Sequence, residues 1–387
     1  MQTLTTTDAL AAFCAEARQS PYVTVDTEFL RERTYYAQLC LVQLAMPGKG
    51  DDGAVLVDPI EGGEGLSLEP LYELFRDASV VKVFHAARQD LEIFAVDAGV
   101  IPVPLFDTQV AAMVCGFGEQ AGYETLVRKL ARQPLDKSSR FTDWSRRPLS
   151  DAQKAYALAD VTHLRVIYEK LSRRLQDTGR APWVAEELQV LTDPATYDVR
   201  PEDAWKRIRT RNTSPRFLAL VRELARFREA HAQARDIPRN RVLKDEALLE
   251  VAALKPRGPQ DLSRARLLQR DARKGAIAEG LLAAVEAGLT CPEDALPQPD
   301  TRRDTLQVNP ALADLLRVLL KAKADRYDVA ARLVASAADL DALAAGQRDV
   351  PALRGWRREV FGAEALRLCE GEIALGVDGI GVAAIEV

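Results

Sequence analysis

The sequence predicts an α/β domain, in which helices flank a mixed sheet, followed by two small all-α helical domains. Strand and helix patterns alternate over residues 1–175. After Arg174 the strand pattern fades, and the remaining chain is rich in Ala, Leu and Arg with helical spacing. Apolar residues make up 47% of the 387 residues, which is enough for more than one buried core.

Short apolar and β-branched runs define the predicted strands, and longer periodic runs define the predicted helices. The glycine-rich segment 47–53 is a turn between two of these strands, so we expect some antiparallel pairing early in the chain. The later alternation of strand and helix implies helices on both faces of the sheet. The predicted strands are 22–26, 37–45, 54–58 and 80–85, and the predicted helices are 68–77, 89–98, 108–115, 123–131 and 150–175.

Proline-rich segments divide the rest of the chain, with a connector around 193–201 and a linker at 296–304. The two helical regions show similar apolar patterns at an offset of 92 residues, which favours an internal duplication. The matching pairs are Leu224 and Leu316, Ala230 and Ala322, Ile237 and Val329, Val242 and Val334, Leu248 and Leu340, Val251 and Leu343, and Ala252 and Ala344. The predicted domains are 1–175, a connector at 176–204, a first helical domain at 205–290 and a second at 305–387.

The charge is distributed unevenly along the chain. The net charge is −5, yet residues 200–275 contain 20 Lys and Arg against 10 Asp and Glu. Such a basic segment is typical of a protein that binds a polyanion, although a solvated helical surface would have the same composition.

Other features limit the possible functions. Five separated cysteines, without a Cys-x-x-Cys pair, argue against a zinc ribbon or a disulfide scaffold and favour a reducing cytoplasm. No apolar run is long enough to cross a membrane, and the N-terminus lacks a signal pattern. The absence of a Walker-type phosphate loop argues against a nucleotide-driven motor. We expect a monomer.

Two carboxylates lie on one predicted strand. Asp26 and Glu28 are two residues apart, so their side chains project from the same face. Neighbouring carboxylates repel each other unless a cation lies between them, and hard oxygen ligands favour Mg²⁺ or Mn²⁺. The pair alone would also fit an acidic, solvated strand end.

Three further residues extend this pair. Asp90 falls early in the helix after the fourth strand, where it could face the sheet or simply complement the helix dipole. Tyr156 and Asp160 share one face of the helix that begins after Ser150, although such a pair can also be a structural hydrogen bond. Four carboxylates and a tyrosine in three separate segments together predict a metal-dependent catalytic site.

These motifs resemble the 3′–5′ exonuclease superfamily that is named for its four acids (DEDD), in the branch with a tyrosine in the third motif. The matching segments are 25–29, 85–90 and 156–160. Segments 106–109 and 143–149 look like the ribonuclease D family in particular.

The helical regions resemble the HRDC modules that ribonuclease D shares with RecQ-type helicases. Residues 205–208 and the helix at 220–230 look like the first module. The region 305–387 departs more from the pattern and resembles the second module mainly by its position.

The resemblance implies a ribonuclease H-like sheet and an enzyme that releases 5′-mononucleotides from the 3′ end of RNA. Asp26 would bridge two divalent ions, Mg²⁺ or Mn²⁺, while Glu28 and Asp160 complete one site and Asp90 serves the other. Tyr156 would orient the attacking water, since a phenol is a poor base near pH 7.

The resemblance also suggests precursor tRNA 3′ ends as the substrate, gripped through the basic segment. His85 could contact the substrate, or it could be a satisfied core side chain, and Asp107 fits a helix cap better than a metal ligand. A DNA 3′–5′ exonuclease and an inactive nucleic-acid-binding adaptor remain alternative functions. The candidate RNA-binding residues are His85, Arg207, Arg209, Arg211, Arg216, Arg222 and Arg226.

Overall fold

A computed structural model describes residues 1–136, 139, 142–298 and 307–387 of the chain. The contacts within the chain divide it into two compact units. The first unit contains residues 1–28 and 40–193 together with the described part of the C-terminal region. The second contains residues 29–39 and the described residues from 194 onward to 298. The predicted linker at 296–304 lies mostly outside the described residues.

The first unit is built on a six-stranded sheet, which is mixed as the sequence predicts but contains two strands more than the four that were predicted. Parallel pairing joins β1 to β4, β2 to β5 and β5 to β6, whereas β3 and β4 are antiparallel. The strand order is β1-β4-β3-β2-β5-β6, so β2 is central. The strands are β1 (Gln2–Leu4), β2 (Tyr22–Leu30), β3 (Gln38–Ala45), β4 (Ala54–Val57), β5 (Val81–Phe84) and β6 (Leu105–Asp107).

Strand β2 differs from the prediction in one respect that concerns the site. It continues to Leu30, so Asp26 and Glu28 lie inside the strand and not at its end. Both side chains are partly exposed, while Val23 and Val25 are fully buried. The acidic pair therefore lies beyond the buried first half of the strand, near Phe29 and Leu30, which are also partly exposed.

Helices cover the sheet and connect its strands. Ser150 caps the longest helix, α7, through a capping box with Gln153, as its sequence indicates. Helix α8 lies in the segment that was predicted as a connector. The helices of this region are α1 (Thr7–Ala17), α2 (Pro59–Gly62), α3 (Glu69–Arg76), α4 (Arg88–Ala98), α5 (Thr108–Val114), α6 (Tyr123–Leu126), α7 (Asp151–Asp177) and α8 (Ala181–Thr192).

The first helical domain has its own apolar core, in which Leu224, Leu248 and Val251 are fully buried. Its first long helix ends at Asp236, which adopts a left-handed conformation with φ of 47°. The helices are α9 (Pro215–Arg235), α10 (Arg239–Val242), α11 (Asp245–Leu254), α12 (Pro259–Leu262) and α13 (Gly275–Thr290), and a 3₁₀ helix (Pro201–Arg207) precedes them.

The C-terminal region repeats this order of helices, which supports the predicted duplication. Helix α14 ends at Asp328, again left-handed with φ of 49°, and the next helices of the two regions both begin three residues after this aspartate. The elements are α14 (Pro310–Tyr327), α15 (Ala331–Val334), α16 (Ala337–Ala344), α17 (Gly355–Arg357) and α18 (Ala363–Glu370), followed by strands β7 (Ile373–Asp378) and β8 (Gly381–Glu386).

The β7–β8 hairpin corrects the expectation of a purely helical C-terminal domain. Gly379 and Ile380 form its two-residue turn, with Gly379 at φ of 60°, and a glycine at the first turn position is a recognised hairpin signal that the sequence analysis overlooked. None of the helices in the described ranges is both long enough and apolar enough to cross a bilayer.

Candidate active site

The predicted site residues gather at one edge of the sheet. Strands β2, β5 and β6 run parallel, so their carboxyl ends point in the same direction. Asp26 and Glu28 lie in β2, His85 directly follows β5, and Asp107 ends β6. Ligands in α/β folds commonly bind at this end of the strands.

Asp107 builds the turn that places Asp90. Its carboxylate accepts hydrogen bonds from the backbone N–H groups of Ala86 at 3.0 Å, Ala87 at 2.9 Å and Gln109 at 2.7 Å. Ala86 has φ of 58°, a left-handed conformation that a non-glycine residue adopts only when its surroundings hold it. Asp107 is therefore a helix cap and turn anchor, as the sequence analysis favoured, and α4 starts where Asp90 falls in its first turn.

Helix α7 brings Tyr156 and Asp160 to the same place. The Thr24 hydroxyl of β2 lies 2.9 Å from the carbonyl oxygen of Val161, which fixes this helix against the sheet. The small residue Ala157 is fully buried and permits the close approach. The Tyr123 hydroxyl donates to the backbone carbonyl of Asp160 and holds the same turn of the helix from the other side.

A cavity of about 310 Å³ opens at this point. This volume is at the lower end of the range for ligand pockets in proteins. Glu28 and Asp90 are not among its described lining residues. The described lining consists of Asp26, His85, Gly122, Tyr123, Glu124, Thr125, Leu135, Tyr156, Asp160 and Leu164.

The carboxylates raise one another's pKa values. Burial and then the charge of Asp160 raise the pKa of Asp26 well above its usual value. Burial, followed by the charges of Asp26, Asp160 and Asp90, raises the pKa of Glu28 to about 9. Burial and then the charge of Asp26 likewise raise the pKa of Asp90. The four acids thus form one electrostatic cluster, and their negative charges destabilise one another.

Tyr156 belongs to this cluster as a neutral group. Burial, followed by the charge of Asp160, raises the pKa of the Tyr156 phenol above its usual value. Its ring centroid lies 6.1 Å from that of Trp144, which is buried. The phenol therefore retains its proton near neutral pH and can donate a hydrogen bond, but it cannot act as a base there.

The arrangement of the oxygen atoms is not that of a closed metal cage. The Thr27 hydroxyl donates to an Asp90 carboxylate oxygen, so this oxygen already has a partner. Across the described residues, no three His, Cys, Asp or Glu side chains are arranged so that they could hold a metal ion. The donor chemistry nevertheless fits divalent ions, because the four clustered carboxyl groups provide hard oxygen ligands, and a bound cation would relieve the repulsion that raises the pKa values of Asp26, Glu28 and Asp90.

The structure assigns other partners to two of the predicted RNA-binding arginines. Arg216 donates to the carbonyls of Leu289 at 3.1 Å and Cys291 at 2.5 Å, at the end of α13. Arg222 donates to the carbonyl of Ala295 at 3.0 Å. Both were predicted to bind RNA because of their charge alone. Their part in RNA binding stays a prediction, while in the structure these guanidinium groups satisfy helix-end carbonyls within the protein.

The remaining arginines are more accessible. Arg207 lies 3.6 Å from the buried Glu229 carboxylate, and Arg226 pairs with Glu223 at 2.7 Å. Arg209 and Arg211 are exposed, and neither side chain makes a hydrogen bond or ion pair with another residue in the described part of the chain. These two arginines are therefore the most available for an external anion.

Sequence reasoning missed Tyr123 and Thr27. Tyr123 lines the cavity and supports Asp160, but it lies on a short, irregular helix whose sequence contains no recognisable motif. Thr27 lies between the two acids of β2, and nothing in its sequence position indicates a role beyond that of an uncharged strand residue. Alternation along a strand predicts that its side chain lies opposite those of Asp26 and Glu28, yet its contact with Asp90 depends on the tertiary structure.

Comparisons with known proteins agree with this geometry. A family model described as a 3′–5′ exonuclease matches residues 1–176, and a model of the HRDC domain matches residues 217–285. A ribonuclease D of Jannaschia sp. is 64% identical over 385 residues, which cover 100% of this chain and 99% of that protein. A ribonuclease D of Granulibacter bethesdensis is 51% identical, and the match covers 97% of this chain and 94% of that protein.

A solved structure is similar over nearly the whole chain. The crystal structure of Escherichia coli RNase D, which is described as an exoribonuclease involved in structured RNA processing, has a TM-score of 0.82 and is 34% identical. The match covers 96% of this chain and 98% of that one. The likeness therefore includes the C-terminal helical regions as well as the sheet.

Proposed function

The chain belongs to the ribonuclease D family of 3′–5′ exoribonucleases, and from this premise we propose that four of its carboxylates hold two divalent metal ions, Mg²⁺ or Mn²⁺. The four are Asp26, Glu28, Asp90 and Asp160. One observation carries the proposal: the charged groups that raise the pKa of Glu28 are the other three acids. A cluster of this kind is stabilised when cations bind to it.

Bound divalent ions would supply a water nucleophile near neutral pH and neutralise charge on the attacked phosphate. The protein supplies the rest. Asp26 and Glu28 present their oxygens from a central strand, which gives them a rigid support. Tyr156 donates a hydrogen bond that orients the attacking water, because burial and the charge of Asp160 keep its phenol protonated. The Tyr123 hydroxyl fixes the turn of α7 that carries Asp160.

The basic first helical domain supplies the grip on RNA. Arg209 and Arg211 contact the phosphate backbone, and Arg207 and Arg226 contribute when they leave their internal ion pairs. Contacts of this kind are largely independent of sequence and weaken with salt. The substrate that this combination suits is a structured RNA with a short single-stranded 3′ extension, of which precursor tRNA is the leading candidate.

The test uses the pure full-length protein and a tRNA that carries a 3′ extension, with Mg²⁺ or Mn²⁺ and with or without a chelator. Stepwise shortening from the 3′ end with release of 5′-mononucleotides, and its loss on chelation, is the expected result. Matched RNA and DNA strands separate an exoribonuclease from a DNA exonuclease. If neither metal supports hydrolysis of any of several RNAs, the proposal fails and the inactive adaptor replaces it.

A further inference from the structure

We propose that His85 accepts a hydrogen bond from the 2′-hydroxyl of the 3′-terminal nucleotide and so favours RNA over DNA. The proposal rests on the proposed function, because it concerns the same cavity. His85 lines this cavity together with Asp26 and Asp160, and therefore lies beside the place where the terminal nucleotide is cleaved.

The hydrogen bonds around Thr108 determine which nitrogen of His85 carries the proton. The Thr108 hydroxyl oxygen lies 3.0 Å from the Phe84 carbonyl oxygen, which can only accept, so the hydroxyl donates its single proton there. The same hydroxyl oxygen lies 3.0 Å from Nδ1 of His85. Since its proton is already used, Thr108 must accept from His85, and Nδ1 is therefore the protonated nitrogen.

The other nitrogen, Nε2, is left with a lone pair. Burial lowers the pKa of His85, although the charge of Asp107 acts in the opposite direction, so the neutral ring predominates at pH 7. A neutral ring with a proton on Nδ1 can only accept at Nε2. It would repel a phosphate oxygen, but it suits an O–H donor. At the end of an RNA chain, the donors of this kind are the ribose hydroxyls.

A second contact holds the ring in place. The His85 ring centroid lies 5.3 Å from that of Tyr123, at an interplanar angle of 55°. Tyr123 is itself tied to the backbone of Asp160. Thr108 and Tyr123 therefore restrict the ring from two directions, which lowers the entropic cost of using it to recognise a ligand.

The experiment compares three RNA oligonucleotides that differ only in the last nucleotide, which carries a ribose, a 2′-deoxyribose or a 3′-deoxyribose. Removal of the terminal nucleotide is measured for the full-length protein and for two variants. We expect the unmodified protein to prefer the ribose over the 2′-deoxyribose by roughly 5- to 10-fold, the ratio expected for one neutral hydrogen bond. His85→Ala should reduce this ratio to about one by slowing the ribose substrate alone.

The Thr108→Val variant tests the role of the proton position. Valine has nearly the same shape, but it cannot accept from Nδ1, so the proton is free to move to Nε2. The preference for a 2′-hydroxyl should fall in this variant. The ratio of the rate on the ribose substrate to the rate on the 3′-deoxyribose substrate should stay the same as in the unmodified protein. Because Thr108 is completely buried, the folding of the Thr108→Val variant is checked by thermal unfolding. If this variant does not fold, the His85→Ala variant decides the question.

Any of three results would overturn the proposal. One is an unchanged 2′-hydroxyl preference in His85→Ala, and another is an equal loss of rate on all three substrates, which would mean that His85 only supports the fold. A change confined to the 3′-deoxy ratio would also count against it. If the unmodified protein removes no nucleotide from any of the three substrates, the proposed function fails. That outcome differs from the results above, which count against the role of His85 alone.

Discussion

Two groups of buried or partly buried acids in this molecule have opposite surroundings. Asp58 is fully buried, and Arg147 donates to both of its carboxylate oxygens at 2.6 Å. The same carboxylate caps α2 through the N–H groups of Ile60 and Glu61. At the sheet edge, by contrast, the charged neighbours that shift Asp26 and Glu28 are other carboxylates.

Glu229 of the first helical domain resembles Asp58 in this respect. It has no exposed side-chain surface, and guanidinium groups of Arg239 and Arg207 lie 3.1 Å and 3.6 Å from it. The Tyr35 hydroxyl donates to it as well. For both Asp58 and Glu229 the protein provides the countercharge, since an uncompensated buried charge costs several kcal/mol.

The difference supports the proposal that external cations bind at this edge of the sheet. Like charges are brought together there, which costs stability unless a cation binds among them. Clusters of strongly shifted acids in a cavity are characteristic of functional sites. The variants below test this contrast between acids whose charged neighbours are basic and acids whose charged neighbours are other acids.

The largest effect is expected from Asp90→Asn. The change removes one negative charge and a metal ligand, so product formation should fall by at least about 1,000-fold, as expected if several kcal/mol of charge stabilisation are lost. RNA binding, measured by fluorescence anisotropy, should stay within a few fold. Asp97→Asn is the matched control, because Asp97 is an exposed acid on the same helix. Hydrolysis at the unmodified rate in Asp90→Asn would remove Asp90 from the site.

Breaking the internally compensated pair should affect stability instead of chemistry. Arg147→Met leaves Asp58 buried without its countercharge, so the free energy of unfolding should fall by about 3–5 kcal/mol. Urea denaturation measures the change. The double variant with Asp58→Asn should lose less than the sum of the two single changes, because neither charge is then left alone. Additive losses would mean that the two residues do not depend on each other.

Tyr156→Phe removes only the phenolic hydroxyl. We expect the turnover number to fall by about 100-fold, the lower end of what proton-handling groups contribute, with little change in KM. Steady-state kinetics on a short single-stranded RNA measures both parameters. An effect confined to KM would show that Tyr156 binds the substrate and does not orient the water.

The smallest effect extends the contrast to basic residues. Arg209 and Arg211 are exposed, whereas Arg216 donates to helix-end carbonyls. Replacing both Arg209 and Arg211 with Ala should weaken RNA binding by several fold. The dependence of the binding constant on salt concentration should fall by the amount expected for the loss of about two phosphate contacts. Arg216→Ala should lower the melting temperature and leave the salt dependence unchanged. The reverse pattern would show that Arg216, and not Arg209 and Arg211, binds RNA.

Much of the fold could be predicted because its signals are local. Two-residue spacing on a strand and four-residue spacing on a helix suffice to pair Asp26 with Glu28 and Tyr156 with Asp160. Strands Gln2–Leu4 and Leu105–Asp107 were missed because three residues are too few to show a period. Their formation depends on pairing with distant strands, which a local pattern does not contain.

The partners of charged side chains could not be predicted. Arg216 and Arg209 look alike in the sequence, and only the position of α13 gives Arg216 its carbonyl acceptors. The contact from Thr27 to Asp90 joins residues that are far apart in the chain, and so does the one from Tyr123 to Asp160. These contacts follow from packing, which depends on the whole fold.

The most direct test of the central account is a calorimetric titration of the full-length protein with Mn²⁺, alongside Asp26→Asn. Relief of the repulsion among the acids predicts binding of two ions per chain and a higher melting temperature with metal. The Asp26→Asn variant should bind Mn²⁺ more weakly or bind fewer ions per chain. Its melting temperature without metal should be higher than that of the unmodified protein. Unchanged Mn²⁺ binding in this variant, or no binding by the unmodified protein, would contradict the account.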